Sequence, residues 1–514
     1  MNQKTRFALP VLALSALCAG CHPSPEGKEA PPPPTNASLP AVTSGHRPGP
    51  DILYAPAAVA PQLENTGVWQ AQPILVSGAV AYRKGEFLYQ DFLYDDHGAM
   101  GAPDPGTPYD VGGYLFSPPA GTFTYPTDAA YANNAADLVE FRIKPLADAT
   151  AFRVTLNTLL DPSKVAFTIA LADLGTGGGA GAIAAASWPH GAGVSSAATH
   201  FVTVHGTTGE IADAGGTVLG AADVDVDLGR RQIHVQVPHA AWNPANHRVN
   251  VAVGVGLWDA AGDGYLAPDS PAATATVPGG ASPLGAAIVN YGPRLDEPQP
   301  AVTDPVPPFT IGDSAAGGTV QARWWRERAQ ADSLQLGEVP LHESVDFARL
   351  LAGTDDESGV PSHGSIDRIF ASHYQFGQGL DPTRICFDIG SSVDVGAACE
   401  GRNIGQLQPY ALYIPDKPQP SRGWGLTLLL HSLSANYNQY AASNNQSELG
   451  ERGAGSLVAT PAGRGPDGFY AGIPEADTFE VWADVARHYA LDPEWVAVTG
   501  YSMGGFGTYR MLAR

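Results

Sequence analysis

A serine enclosed by glycines offers the most distinctive chemistry in this sequence. Ser502 follows the apolar run Trp495 to Thr499 and precedes the stretch Gly507 to Leu512, a pattern that predicts a strand, a sharp turn and a helix. A nucleophile held at such a turn needs strained backbone angles, and side chains two places before and after it would clash. Gly500 and Gly504 stand at those two places, which predicts a nucleophile elbow.

An elbow of this kind predicts acyl transfer through an acyl-serine intermediate. The Ser502 hydroxyl attacks a carbonyl carbon, and the backbone N–H of Met503 donates to the negative oxygen that forms. A second donor is expected just beyond the apolar strand that ends at His431, with Leu433 as the first choice and Ser432 as the second. The acid and the histidine that activate the serine follow it in chain order in enzymes with this elbow. We therefore expect both to be absent from this chain, and the chain as printed to be an inactive fragment.

The segment Asp492 to Gly505 closely resembles the Asp-Pro, strand and elbow sequence of α/β-hydrolases. Residues 408–514 look like the first half of that fold and are similar to esterases related to polyhydroxybutyrate depolymerase and to prolyl-oligopeptidase-like serine peptidases. The resemblance implies hydrolysis of an ester or an amide. It also implies that Gly500, Tyr501 and Gly504 form the elbow around the nucleophile, and that catalysis needs no cofactor.

Apolar strands support a parallel sheet in this region independently of the resemblance. Tyr410 to Ile414, Gly425 to Leu430 and Ser456 to Thr460 read as strands, and Phe479 to Tyr489 reads as a helix. Continuous apolar strands separated by helices indicate a parallel sheet with helices on both faces.

Two histidines near the elbow are expected to have structural roles. His431 is expected to shape a loop in which Ser432 replaces the glycine that usually follows the histidine in the hydrolase family. His488 lies with Asp484 on the helix before the elbow strand, away from its apolar face. Neither histidine is therefore predicted to be the general base.

Residues 51–300 carry short runs in which apolar and polar side chains alternate, and turn residues separate the runs. This pattern predicts an antiparallel β-sandwich. Asp91 to Gly98, Phe123 to Thr127 and Asp137 to Ile143 resemble the β-sandwich modules appended to glucodextranase and amylopullulanase enzymes. The resemblance implies an accessory domain that binds a carbohydrate or a cell surface.

Three acidic residues of this domain are a candidate metal site. Asp91, Asp95 and Asp96 offer hard oxygen ligands beside Gly98, and such ligands suit a structural Ca²⁺ ion. An acidic turn without a metal is the alternative that the same residues allow.

The N-terminal residues predict export from the cytoplasm. Basic residues precede the apolar stretch Phe7 to Leu17, and small residues lead into Cys21. Residues 1–21 resemble the signal peptide of bacterial lipoproteins, which implies lipidation of Cys21 and a place in the cell envelope, at the outer membrane or the cell surface. Plain secretion is the alternative. The Pro-rich residues 22–50 hold too few apolar side chains to form a core and are predicted to be a linker.

Residues 301–407 are predicted to be a connector or a lid. They follow a proline-rich entry and include a helix around Ala322 to Ala329. Cys386 and Cys399 are the only cysteines after Cys21. In an exported protein a disulfide between them is favoured over free thiols, and also over a metal site, which needs more ligands.

The formal net charge of −23 repels phosphate backbones and anionic lipid surfaces. Nucleic acid is therefore not expected as a partner, and the membrane is expected to be contacted only through the lipid anchor. The leading hypothesis is an exported serine hydrolase, either an esterase or a peptidase, whose substrates include polymers. The competing hypothesis is a surface lipoprotein that binds carbohydrate and carries a hydrolase relic without activity. Acyl transfer to an acceptor other than water fits the same residues.

Overall fold

The computed structural model describes residues 39, 49–100, 119–131, 134–176, 182–281, 286–294, 325–384, 386, 399–433, 435–441 and 444–514. The predicted signal peptide, with Cys21, lies outside these residues, as do most of the linker and residues 301–324. None of the helices that the structure describes is long and apolar enough to cross a membrane.

Alternating and β-branched residues of the first part of the chain form antiparallel strands. In chain order the strands are β1 (Val80–Arg83), β2 (Glu86–Gln90), β3 (Leu138–Pro145), β4 (Ala149–Leu156), β5 (Val165–Asp173), β6 (Ala186–Ser187), β7 (Ser195–Ser196), β8 (His200–His205), β9 (Thr208–Asp213), β10 (Val218–Asp227), β11 (Gln232–Pro238), β12 (Arg248–Asp259), β13 (Gly264–Tyr265), β14 (Ile288–Gly292) and β15 (Glu343–Asp346). β6 pairs with β7, and the others form one sheet in the order β1-β2-β3-β4-β11-β10-β9-β8-β5-β12-β13, with β14 and β15 also paired to β12. Each pairing described in this sheet is antiparallel.

This first sheet curls so that its two halves enclose one core. β10 makes the turn, because Val218 to Ala222 pairs with β9 and Asp223 to Asp227 pairs with β11. Phe141 and Phe152 of one half pack in the same buried cluster as Phe167 of the other half. The prediction of antiparallel strands is confirmed. The predicted β-sandwich would have two separate sheets. The structure instead has a single curled sheet whose two halves form the layers.

The second sheet belongs to the C-terminal part of the chain. Its described strands are β16 (Gly364–Ala371), β17 (Leu407–Ile414), β18 (Trp424–Leu430), β19 (Ser456–Pro461) and β20 (Leu491–Gly500), in the order β16-β17-β19-β18-β20. β17 runs antiparallel to β16 and β19, whereas β18 is parallel to both β19 and β20. The prediction of a parallel sheet is therefore correct only in part. The sheet is mixed, because β17 pairs antiparallel on both sides, and its parallel part leads to the elbow.

The residues that the structure describes form few helices, and three of the five α-helices lie around the second sheet. The α-helices are α1 (Arg328–Gln335), α2 (Phe347–Ala352), α3 (Asn445–Gly450), α4 (Ile473–His488) and α5 (Met503–Met511). Short 3₁₀ helices lie at Asp51–Tyr54, Pro61–Leu63, Ala129–Tyr131, Pro162–Lys164 and Trp325–Glu327.

Apolar side chains of the second sheet are divided between its two faces, because successive residues of a strand point in opposite directions. Leu428 packs with Val481 of α4 in one buried cluster. Leu429 and Val458 pack on the other face, where Leu449 of α3 covers them. A helix therefore lies against each face.

The two sheets share buried surface. Leu93 and Val139 of the first part pack with Ile369 and Ala411 of the second in one cluster. The described part of residues 301–407 belongs to both, since β15 joins the first sheet and β16 forms an edge of the second. This stretch is thus built into the two sheets along its described length.

Candidate active site

Ser502 lies at the turn between β20 and α5, where the sequence predicts the nucleophile. Its backbone angles are φ 54° and ψ −114°, and holding a residue other than glycine in such a conformation costs about 1–3 kcal/mol. The Ser502 side chain is exposed. The N–H of Phe506 donates to the Ser502 carbonyl oxygen at 3.1 Å, which begins the helix directly after the serine. The described turn thus has the strained and open geometry expected of an elbow.

The glycines on either side of the serine are needed because two backbone segments approach each other closely. A Cβ atom at Gly504 would overlap the carbonyl oxygen of Leu430, and a Cβ atom at Gly500 would lie 2.6 Å from the same oxygen. At Gly505 the nearest atom to an added Cβ would be 3.5 Å away, which is an ordinary contact. The requirement for glycine therefore falls on the two positions that the sequence singles out.

The ends of two parallel strands bring the predicted oxyanion donors together. Leu430, the last residue of β18, pairs with Gly500, the last residue of β20. Leu433, just beyond β18, packs with Leu430 and Met503 in one apolar cluster. Within the described part of the chain, the N–H groups of Leu433 and Met503 donate no hydrogen bond. Both amides are therefore available to a negatively charged oxygen.

Ser432, the second choice for an oxyanion donor, has its amide occupied. Its N–H donates to Oε1 of Gln439 at 2.8 Å, and Nε2 of Gln439 donates to Oγ of Ser432 at 3.1 Å. Ser432 is not among the residues with positive φ, so the backbone at this position does not call for glycine.

Tyr440, the neighbour of Gln439, connects the two strand ends. Its hydroxyl donates to the carbonyl oxygen of Leu430 at 2.9 Å and accepts from the N–H of Tyr501 at 3.1 Å. Sequence reasoning missed both Gln439 and Tyr440. They lie in an irregular loop without periodicity, so the sequence holds no signal that could have pointed to them.

The two histidines have structural partners, as the sequence predicts. His431 is fully buried, and its ring nitrogens each lie 3.0 Å from a backbone carbonyl oxygen, one of Ser432 and one of Ala462. Burial lowers the pKa of His431. The Nδ1 of His488 lies 2.8 Å from the carbonyl oxygen of Asp484, one turn earlier on α4. Both ring nitrogens of His431 are therefore occupied, whereas His488 is held by its own helix through Nδ1.

The three aspartates of the predicted Ca²⁺ site are divided among different partners. Arg294 forms ion pairs with Asp91 and Asp95, while Asp96 accepts a hydrogen bond from the hydroxyl of Tyr125. Burial raises the pKa of Asp95 well above its usual range, and the charge of Asp91 adds to the rise. No group of three or more His, Cys, Asp or Glu among the described residues could hold a metal ion. These aspartates therefore do not fit the predicted site, because an arginine already supplies the positive charge.

Cys386 and Cys399 form a disulfide with their Cα atoms 5.7 Å apart, which confirms the predicted pairing. The N–H of Ile473 donates to the carbonyl oxygen of Cys399 at 3.0 Å. The disulfide thus lies against the start of α4, in the same unit as the elbow.

Comparison with known proteins identifies part of the first sheet. Residues 119–306 match the family described as the C-terminal, SLH-like binding module of glucodextranase. The match spans β3 to β14 and agrees with the resemblance drawn from the sequence for this region. No curated protein matches the chain. The resemblance of residues 408–514 to hydrolases therefore stays a prediction.

Aromatic side chains in the matched region are turned inward. All twelve Phe, Tyr and Trp residues of 119–306 lie within the described part of the chain. None of them is exposed, and Trp258 is only 1% exposed. Aromatic rings are a common means of contact with a ligand. The aromatic rings of this region therefore serve mainly to form its core.

Proposed function

We propose that the protein is a serine hydrolase in which Ser502 is the nucleophile and the N–H groups of Met503 and Leu433 form the oxyanion hole. The observation that carries this proposal is the backbone conformation of Ser502, with φ 54° and ψ −114° at an exposed turn. A strained backbone conformation persists only where the surrounding structure enforces it, and residues with such conformations cluster at active sites. The close approach of Gly504 to Leu430 gives further support.

In the proposed reaction, Oγ of Ser502 forms a bond to the carbonyl carbon of an ester or an amide. Its proton passes to a histidine base and then to the leaving alcohol or amine, and water afterwards releases the acid from the acyl-serine. The carbonyl oxygen becomes negatively charged beside the two free amides, which stabilise it without needing to reorient. The base and its carboxylate partner are not assigned to any described residue.

We further propose that residues 119–306 hold the enzyme on a carbohydrate or a cell surface. The match to a binding module supports this role. Lipidation of Cys21 would keep both units at the cell envelope.

The catalytic proposal is tested with a fluorophosphonate probe, which reacts with activated serines. Treatment of a longer form of the protein that supplies the expected acid and histidine, called the full-length protein here, is expected to label Ser502. Ser502→Ala is expected to abolish labelling and to lower ester hydrolysis by about 10⁴-fold or more. Ser447→Ala is a matched control, since its exposed hydroxyl contacts only the carbonyl oxygen of Asn444. A folded protein that the probe does not label would remove the catalytic proposal. Esterase and peptidase substrates are then compared in the same preparation.

A non-catalytic surface protein is the second candidate, and the family match is the observation that favours it. It predicts that the full-length protein sediments with an insoluble polysaccharide or with cell walls but leaves the probe unreacted. Palmitate incorporation, lost in Cys21→Ser, tests the lipid anchor in the same preparations. An anchored protein that neither binds such surfaces nor reacts with the probe would contradict both candidates.

A further inference from the structure

Gln439 contacts the loop that carries Leu433, one of the two proposed oxyanion donors. A backbone N–H can only donate, so the contact of 2.8 Å from the N–H of Ser432 must be to the amide oxygen of Gln439. The amide nitrogen Nε2 of Gln439 then faces Oγ of Ser432. The amide of Ser432 is thereby satisfied. Leu433, the next residue, then presents the free N–H. The side chain of Gln439 thus decides which of two adjacent amides faces a ligand.

Tyr440 contacts the turn that carries Met503, the other proposed donor, through the residue before the nucleophile. Its hydroxyl bridges the carbonyl oxygen of Leu430, at the end of β18, and the N–H of Tyr501, immediately before the nucleophile. The tyrosine is only 7% exposed, and burial raises its pKa to about 12. The hydroxyl therefore keeps its proton at neutral pH and can donate and accept at the same time.

The contacts of Gln439 and Tyr440 bear on the same quantity, which is the distance between the backbone amides of Leu433 and Met503. The amides of Met503 and Leu433 belong to different strand ends, and they can bind one oxygen only if β18 and the elbow keep a fixed separation. A shift of about 1 Å in a catalytic group can lower a rate about 10²-fold. Tyr440 bonds to both strand ends, whereas Gln439 bonds to the loop that carries Leu433.

We propose that Gln439 and Tyr440 are positioning residues of the oxyanion hole, with Gln439 selecting the amide of Leu433 and Tyr440 fixing the elbow against β18. This inference rests on the proposed serine hydrolase function. Both residues act through backbone groups, so they are expected to affect the chemical step and leave substrate binding unchanged.

The test measures kcat and KM for a p-nitrophenyl ester, together with the rate of fluorophosphonate labelling, in the full-length protein. Tyr440→Phe is expected to lower kcat and the labelling rate at least tenfold at unchanged KM. Tyr413→Phe is the matched control, because it removes a hydroxyl that binds Glu451 at 2.9 Å, away from the elbow. Gln439→Leu is expected to have a similar effect. Gln439→Glu, which keeps an acceptor for the amide of Ser432, is expected to restore most of the rate.

The outcomes separate the two levels of the proposal. A wild-type protein that is not labelled at Ser502 contradicts the hydrolase function itself. Labelling of the wild type, with Tyr440→Phe and Gln439→Leu reacting at the wild-type rate, overturns the positioning role alone. An increase in KM without a change in kcat also overturns it. If Tyr440→Phe does not fold, the Gln439 pair of variants decides the question.

Discussion

The matched region and the elbow region place their aromatic side chains in opposite ways. Within 119–306 no aromatic ring is exposed, whereas Trp495, Tyr501, Phe506 and Tyr509 are exposed around the elbow. β20 forms an edge of the described second sheet, with only β18 beside it. Rings buried in a curled sheet stabilise the fold, whereas exposed rings contribute little to it. The aromatic rings of the first region are therefore expected to matter for stability, and the four exposed rings of the second are not.

The strongest test of the elbow region changes one glycine and spares its neighbour. Gly504→Ala is expected to reduce fluorophosphonate labelling by more than about 10²-fold, because the new Cβ overlaps the carbonyl oxygen of Leu430 and moves the elbow from the strand end. Gly505→Ala, with 3.5 Å of space, is the control and should label at nearly the wild-type rate. Equal labelling of the two variants would mean that the close approach is not required.

Truncation of one buried and one exposed aromatic ring tests the contrast between the two regions. Trp258, on β12, stacks on His205 with ring centroids 4.1 Å apart and is nearly fully buried. Trp258→Ala is expected to lower the free energy of unfolding by about 3–5 kcal/mol, measured by urea denaturation. Tyr501→Ala, which truncates a ring that is 66% exposed, is expected to change it by less than about 0.5 kcal/mol. The same variant should raise KM for an ester with an apolar acyl group, since an apolar contact is lost.

A larger loss of stability in Tyr501→Ala than in Trp258→Ala would contradict the contrast between buried and exposed rings. It would mean that the exposed ring of Tyr501 supports the fold and that the interior of the first sheet tolerates a cavity. Circular dichroism of both variants before denaturation serves as the control, because it separates a partly unfolded starting state from a true change in stability.

Local patterns in the sequence predict strands in both sheets. Leu138 to Ile143 and Gly425 to Leu430 read as strands because their side chains are alternating or continuously apolar, and both lie within observed strands. The elbow was equally predictable, because the strand, the turn and the helix that form it are consecutive in the sequence. The contact that requires its glycines is made with Leu430, at the end of β18. The disulfide followed from there being only two cysteines after Cys21.

Contacts between distant residues could not be read in the same way. Arg294 pairs with Asp91 and Asp95 from about two hundred residues away, and nothing near the aspartates indicates it. The turn of the first sheet at β10 depends on which strands pair with each half of a continuous run. Gln439 and Tyr440 act through backbone groups of other segments. In each case the partner is chosen by the completed fold, and a single sequence carries no record of that choice.

β12 has a consequence for how the first sheet is made. It pairs with β5, β13 and β14, and then with β15, which is translated much later than its partners. A chain that ends at residue 306 lacks this last strand, and the third of β12 from Arg248 to Val251 has no partner on that side. The pairing of β12 is therefore complete only when β15 is present. Expression of 119–306 alone would leave an unpaired strand edge, which favours aggregation.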